Sequence, residues 1–291
     1  EAYFPGPLAA YEDEMKRHRL RREIIATVVD NELVNICGPT FPARLRAAAG
    51  CDTRAMVTGF EAARRILGFG APWDAVAALD GKAPAEGQLA LFRALAHTLR
   101  SQTYWLARRA GEGGVDALTE RYGAGMNELR SLTPGILSSF EQKTVARRAA
   151  IFVKDGAPEV LAQQIAALQP LTTATELVDL ASGMAWPVAA AARLYHQVGA
   201  AFSFDRLRAA AGEKRGGDHF ERMAVRRLVE DMLAEQAQVT RAVMTFAATA
   251  DAAGTPEQAK STVTSWAQMH SGPGRAVKRT IEEIEQAGGG W

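Results

Sequence analysis

Cysteine is nearly absent. There are two in 291 residues, Cys37 and Cys51, and no CxxC pair. A disulfide framework is excluded, and a reducing compartment is the expectation. Aromatic residues make up only 7% of the chain, and isoleucine, valine and threonine are sparse. Those are the residues that strands favour. Net charge is also missing, at +1 from 34 basic and 33 acidic residues. No whole-molecule field draws the chain onto nucleic acid or an anionic membrane. There is no run of about 18 apolar residues to cross a bilayer, and no signal peptide is visible.

Alanine is the commonest residue, and hydrophobic residues reach 47% against 23% charged. Alanine loses no side-chain entropy in a helix. The composition therefore points to a helical globular chain, long enough for one large domain or two ordinary ones. Arginine greatly outnumbers lysine, which with so much alanine also fits a GC-rich genome.

Turn and cap residues divide the sequence into about a dozen helices. Pro5 and Pro7 keep residues 1–8 extended, and a helix then runs to about Val34, with Met15, Leu20, Ile24, Ile25, Val28 and Leu33 as its apolar positions. Gly38-Pro39 stops it. Thr40 caps a short helix to Ala49, Asp52 caps the next, and Pro84 opens a long one. Pro134 reads as the first turn of a helix reaching Lys154. Further helices follow Pro158, Thr173 and Pro187, another runs from Phe204 to Ala210, and Gly216-Gly217 marks a loop. Asp218 caps a long helix to about Ala250, Pro256 opens one to His270, and Arg275 to Gln286 forms the last. No stretch alternates as a strand. The expected fold is all-α, a multi-helix bundle array. The turn at Asp155-Gly156 is the expected division into sub-bundles 1–155 and 156–291.

Motifs for chemistry are wanting. The nearest string to a dinucleotide fingerprint is Gly68-Phe69-Gly70-Ala71-Pro72-Trp73. It follows a helix and puts proline where amides should meet a pyrophosphate, so it reads as a helix stop. There is no GxxxxGK[ST], no GxSxG and no HExxH. His18, His97, His196, His219 and His270 stand far apart, and Cys37 and Cys51 have no histidine beside them, so no metal site is expected. The carboxylate pairs Glu230-Asp231 and Glu282-Glu283 read as solvated helix faces. No catalytic, cofactor-binding or metal-binding residue is assigned.

The densest charge cluster is Lys16-Arg17-His18-Arg19-Leu20-Arg21-Arg22. Glu12 and Asp13 stand four residues before Lys16 and Arg17, in the favourable order for helix ion pairs. Few aromatics accompany the patch, so a structural or docking role is preferred to a nucleic-acid one. Asn31 and Asn35, four apart, have two open readings: buried amides that clamp the Gly38-Pro39-Thr40 turn, or helix-end caps. Arg17, Arg19, Arg21, Arg22, Asn31 and Asn35 are thus the candidate interdomain contacts.

Several strings carry a resemblance: Tyr3-Phe4-Pro5, then His18-Arg19-Leu20-Arg21-Arg22-Glu23-Ile24-Ile25-Ala26-Thr27, then Val34-Asn35 and Gly38-Pro39-Thr40-Phe41. Weaker matches continue through Ala62-Ala63-Arg64, Thr103-Tyr104-Trp105-Leu106, Gly156-Ala157-Pro158, the stretch around Tyr195 and Gly199, and Trp266. Together they resemble the C-terminal region of the large bacterial NAD-dependent glutamate dehydrogenases. The resemblance implies a non-catalytic helical segment of a long, cytoplasmic, homo-oligomeric enzyme. That enzyme converts L-glutamate to 2-oxoglutarate and ammonium with NAD. The glutamate and NAD sites would belong to a catalytic domain of the same polypeptide, which this segment would pack on and support. The sequence departs from the family pattern at Ile36-Cys37, where a basic residue is expected. The Glu1 start and the Gly288-Gly289-Gly290-Trp291 end are expected to be cuts in that longer chain. The alternative is a free-standing helical interaction or regulatory module that docks through the Arg17 to Arg22 face.

Overall fold

A computed structural model describes residues 11–111, 113–213 and 218–269. The expected extended start, the Gly216-Gly217 loop, the helix over residues 275–286, His270, Glu282-Glu283 and Trp291 lie outside them, as do the side chains of Glu12 and His219. The described residues contain α-helices and short 3-10 turns and no strand, so the fold is all-α.

The helices, in chain order, are α1 (Glu12–Arg17), α2 (Arg21–Cys37), α3 (Phe41–Ala49), α4 (Thr53–Leu67), α5 (Gly70–Ala77), α6 (Ala85–Ala107) and α7 (Gly114–Ile136). They continue with α8 (Ser139–Lys154), α9 (Glu159–Ala166), α10 (Ala174–Gly183), α11 (Val188–Ala201), α12 (Phe204–Glu213), α13 (His219–Ala247) and α14 (Pro256–Met269). Short 3-10 segments over Gln169–Thr173 and Ala250–Ala253 join α9 to α10 and α13 to α14.

Most boundaries follow the sequence signals. The Asp52 carboxylate accepts the Ala55 amide at 2.7 Å and caps α4, and Asp218 accepts the Glu221 amide at 2.9 Å and caps α13. Gly50 and Gly68 close α3 and α4 in the left-handed conformation, at φ 61° and 56°, where a side chain would be strained. Two expectations fail. The first helix is not continuous: His18 turns extended at ψ 136° and separates α1 from α2. The Arg17 Nε donates to the Asp13 main-chain carbonyl at 3.1 Å, closing α1 from its end. Pro134 does not open a helix but lies within the last turn of α7. There it removes a single amide, a small loss so close to a helix end. The start of α8 is set by Ser138 and Glu141, which form a capping box: the Glu141 amide donates to Ser138 Oγ at 3.1 Å and the Ser138 amide to Glu141 Oε2 at 2.9 Å. That signature, S-x-x-E, stands in the sequence at residues 138–141 and outranks the proline.

The first core cluster centres on α4, α6 and α7. Phe60, Leu95, Leu99, Leu106, Tyr122 and Met126 are essentially fully buried in it. Small residues let these helices approach. A Cβ on Gly59 of α4 would stand 2.5 Å from the Ala107 amide nitrogen of α6. A second cluster joins α10 to α14, with Leu194, Val198, Met244, Val263 and Trp266 at its centre. α11 belongs to both: Ala192 and Tyr195 lie in the first cluster, Leu194 and Val198 in the second.

Candidate functional site

The candidate contact residues sit on α1, α2 and the break between them, where the chain leaves the core. The C-terminal half of α2 is anchored. Leu33 and Cys37 are buried, Glu32 pairs with Arg64 of α4, and Arg100 of α6 donates to the Cys37 carbonyl at 3.2 Å. The N-terminal half is exposed on all sides from Arg21 to Thr27. Leu20, Ile24 and Ile25 remain 45%, 44% and 53% exposed. At about 100° per residue, Ile24, Asn31 and Asn35 fall within about 40° of one another, and Leu33 lies on the opposite face. One side of α2 thus holds the core, and the other presents an apolar and amide stripe to solvent.

The arginines gather at the break that precedes this stripe. Arg17, Arg19, Arg21 and Arg22 are all exposed. Arg21 donates to the Lys16 carbonyl at 3.0 Å, and His18 Nδ1 accepts the Leu20 amide at 3.2 Å. These bonds close the turn and leave cationic surface facing outward. Asn31 and Asn35 are exposed too. The buried-clamp reading of these amides therefore fails: the face that carries them points away from the core, and the Gly38 turn is held by its own amide, which donates to the Val34 carbonyl at 2.8 Å.

The interior contains polar groups that the sequence did not flag. Asp179 of α10 accepts the Tyr122 hydroxyl and an Arg121 nitrogen, each at 2.8 Å, and pairs with Arg109. Burial, and then the hydrogen bond to Asp179, push the Tyr122 phenol up to about 12. Glu141 receives the His196 ring at 2.8 Å, and Ser138 donates to Asp205 at 2.7 Å, so the α8 cap is tied to α11 and α12. Burial raises the Glu141 carboxyl, but His196 and the Ser138 amide outweigh it and leave it below its ordinary value. Glu176 behaves oppositely: burial pushes it up to about 7, against the pull of Arg109. Among the described residues, Glu176 Oε2 and Tyr195 Oη have no hydrogen-bond partner. These groups come from α7, α8, α10, α11 and α12 and meet only in the fold. Their one sequence signal was the Ser138-x-x-Glu141 pattern.

This interior belongs to helix packing. Asp179, Asp205 and Glu141 are taken up by arginine, tyrosine, serine and histidine from elsewhere in the bundle. Burial drives the Cys37 thiol up to about 12, where it is an inert apolar group. Among the described residues no group of three or more His, Cys, Asp or Glu converges to hold a metal ion. No described helix is long and apolar enough to cross a membrane.

Comparison with known proteins places this arrangement. The family model described as "Glutamate dehydrogenase, C-terminal" matches residues 1–289. The chain is 28% identical over 286 residues to an NAD-specific glutamate dehydrogenase of Halomonas elongata, covering 98% of this chain and 17% of that protein. It is 29% identical over 203 residues to the enzyme of the same name from Pseudomonas aeruginosa, covering 69% of this chain and 12% of that one. Against the Mycobacterium tuberculosis NAD-specific glutamate dehydrogenase, identity is 24% over 297 residues, again 98% of this chain and 17% of the relative. The chain thus spans about a sixth or less of the length of these relatives, and the match of family model to nearly every residue shows that it belongs to the glutamate dehydrogenase C-terminal family.

Proposed function

We propose that this chain is the helical supporting segment of an NAD-dependent glutamate dehydrogenase. It does not carry the oxidative deamination of L-glutamate itself but packs on the catalytic domain of the same polypeptide. The observation that carries this reading is the α1–α2 arm. A stripe of Leu20, Ile24, Asn31 and Asn35, flanked by Arg17, Arg19, Arg21 and Arg22, leaves the core on a helix whose other end is locked into it. An apolar centre with an arginine rim is the composition of a protein contact. The relatives have ample chain beyond the matched part to supply the other side. NAD and glutamate would be held by that other part, and the long parent would be a cytoplasmic homo-oligomer.

The interior polar groups fit the supporting role. Asp179, Glu141, Ser138 and His196 each bond to a group on another helix of the bundle. The test is spectrophotometric. The 291-residue chain, with L-glutamate and NAD, is expected to give no NADH absorbance above the enzyme-free rate. Measurable turnover would contradict the non-catalytic reading.

A further inference from the structure

α10 stands at the seam of the two core clusters. Its Leu177 and Val178 belong to the first, and its Leu180 and Ala181 to the second. Two acids, Glu176 and Asp179, stand about one turn apart on it. Residues at i and i+3 of a helix are neighbours, so the two carboxyl groups share a face.

Their surroundings are unequal. Asp179 accepts the Tyr122 hydroxyl and an Arg121 nitrogen of α7, each at 2.8 Å, and the Nε of Arg109 on α6. It thereby ties α10 to both helices. Glu176 Oε2 is shut off from solvent and finds no hydrogen bond. An ionised carboxylate oxygen buried without a donor is costly, and a second charge one turn from Asp179 adds repulsion. The arrangement therefore fits an ionised Asp179 beside a protonated Glu176. Burial pushes the Glu176 carboxyl up to about 7, in agreement with that pairing.

Arg109 is the cation that both acids can use. Its Nη1 donates to the Trp105 carbonyl at 3.0 Å, and its guanidinium lies 5.3 Å from the centre of the Trp105 ring. A guanidinium has five donors, so Arg109 can serve a second carboxylate. The ionisable groups around Glu176 are Arg108 and Arg109 of α6, Arg121 and Tyr122 of α7 at Asp179, Asp179 itself, Tyr195 of α11 and Arg208 of α12. The 3-10 segment Gln169–Thr173 has no ionisable residue, and no α13 group is among the charges that act on Glu176. Arg108 and Arg121 are exposed, and Arg208 is engaged by Gln236 and Glu141. Arg109 alone among these cations is both half-buried and already bonded to the neighbouring acid.

We propose that Glu176 and Asp179 form a proton-operated switch in the hold of α10 on α6 and α7. With Glu176 protonated, Arg109 is committed to Asp179. When Glu176 gives its proton to solvent, its Oε2 accepts an N–H of Arg109. The guanidinium then turns away from Asp179 and from the Trp105 ring, and the tie between α10 and α6 slackens. The switch lies apart from the α1–α2 stripe and does not depend on the proposed parent enzyme.

Fluorine NMR of the 291-residue chain labelled with 5-fluorotryptophan tests it, with the Trp105 resonance identified by Trp105→Phe. That resonance is expected to move in a single step with its midpoint near 7. The step should vanish in Glu176→Gln, which keeps the neutral form of the acid, and persist in Glu128→Gln on the exposed side of α7. Asp179→Asn removes the neighbouring negative charge, so its midpoint should fall by at least about one pH unit. Far-UV circular dichroism shows which variants are folded. A Glu176 that only fills space would change stability on substitution and leave the step in place. The proposal is overturned if the Trp105 resonance does not move. It is also overturned if the resonance moves alike in folded Glu176→Gln, as it would with a histidine as the titrating group, or if folded Asp179→Asn keeps the parent midpoint.

Discussion

Glu176 and Glu141 pull the pH dependence of stability in opposite directions. Glu176 has its folded value raised from 4.5 to about 7 by burial. Between those values the unfolded chain has released a proton that the folded chain retains, so Glu176 costs stability as pH rises through that window. Glu141 has its folded value lowered, so its contribution is present above the ordinary carboxylate range and lost as pH falls through the lowered value. Glu176→Gln is therefore expected to flatten the fall in urea midpoint between pH 4.5 and about 7 while leaving the acid limb intact. An unchanged slope in that window would show that Glu176 is hydrated when folded. Ser138 is the second sensitive residue, because one hydroxyl both caps α8 and donates to buried Asp205. Ser138→Ala should cost about 2 kcal/mol, more than a cap alone, since it also leaves Asp205 short of a donor. Equilibrium urea unfolding measures it. Glu176 does not announce itself in the sequence, and Ser138 does so only through its S-x-x-E cap pattern. Their environments are assembled from helices far apart along the chain, and only the cap pattern is local.

Individual helices were largely legible because their ends are made of local chemistry. Asp52, Asp218, Gly50 and Gly68 act within one turn, and each stands where the chain changes direction. The failures come from signals that compete. Pro134 looked like a start because proline suits a first turn, but the Ser138 box four residues later holds two orphan amides. In the first segment, apolar spacing implied one continuous helix to about Val34. Leu20, Ile24 and Ile25 stay exposed all the same. Periodicity reports which residues share a face, not whether another element lies against that face. Packing between helices sets a further limit. Gly59→Ala would ordinarily favour a helix by up to about 1 kcal/mol. Here the added Cβ would stand 2.5 Å from the Ala107 backbone, and rigid backbone must move. The expected outcome is a net loss of about 1–3 kcal/mol in thermal or urea unfolding. A gain would mean that α4 and α6 separate at little cost.

At the scale of the whole molecule, composition pointed to a helical chain and away from a nucleotide-binding sheet. The family match places that helical chain in the glutamate dehydrogenase C-terminal family. The motif run from His18 to Phe41 carries the resemblance and also builds the α1–α2 arm and the turn that anchors it. What the arm would meet was not legible, because the proposed contact with a catalytic domain would leave its mark on two surfaces and this sequence would carry one of them. The most direct measurement mixes the 291-residue chain with a glutamate dehydrogenase of this family lacking its helical C-terminal segment, followed by size-exclusion chromatography. Co-elution is expected with the parent chain. It should be lost when Ile24 and Ile25 are changed to Asp and Arg21 and Arg22 to Glu, with the melting temperature of the chain nearly unchanged because these side chains are solvent-exposed. No co-elution of the parent chain, or equal co-elution of the folded variant, would contradict a docking role for the arm.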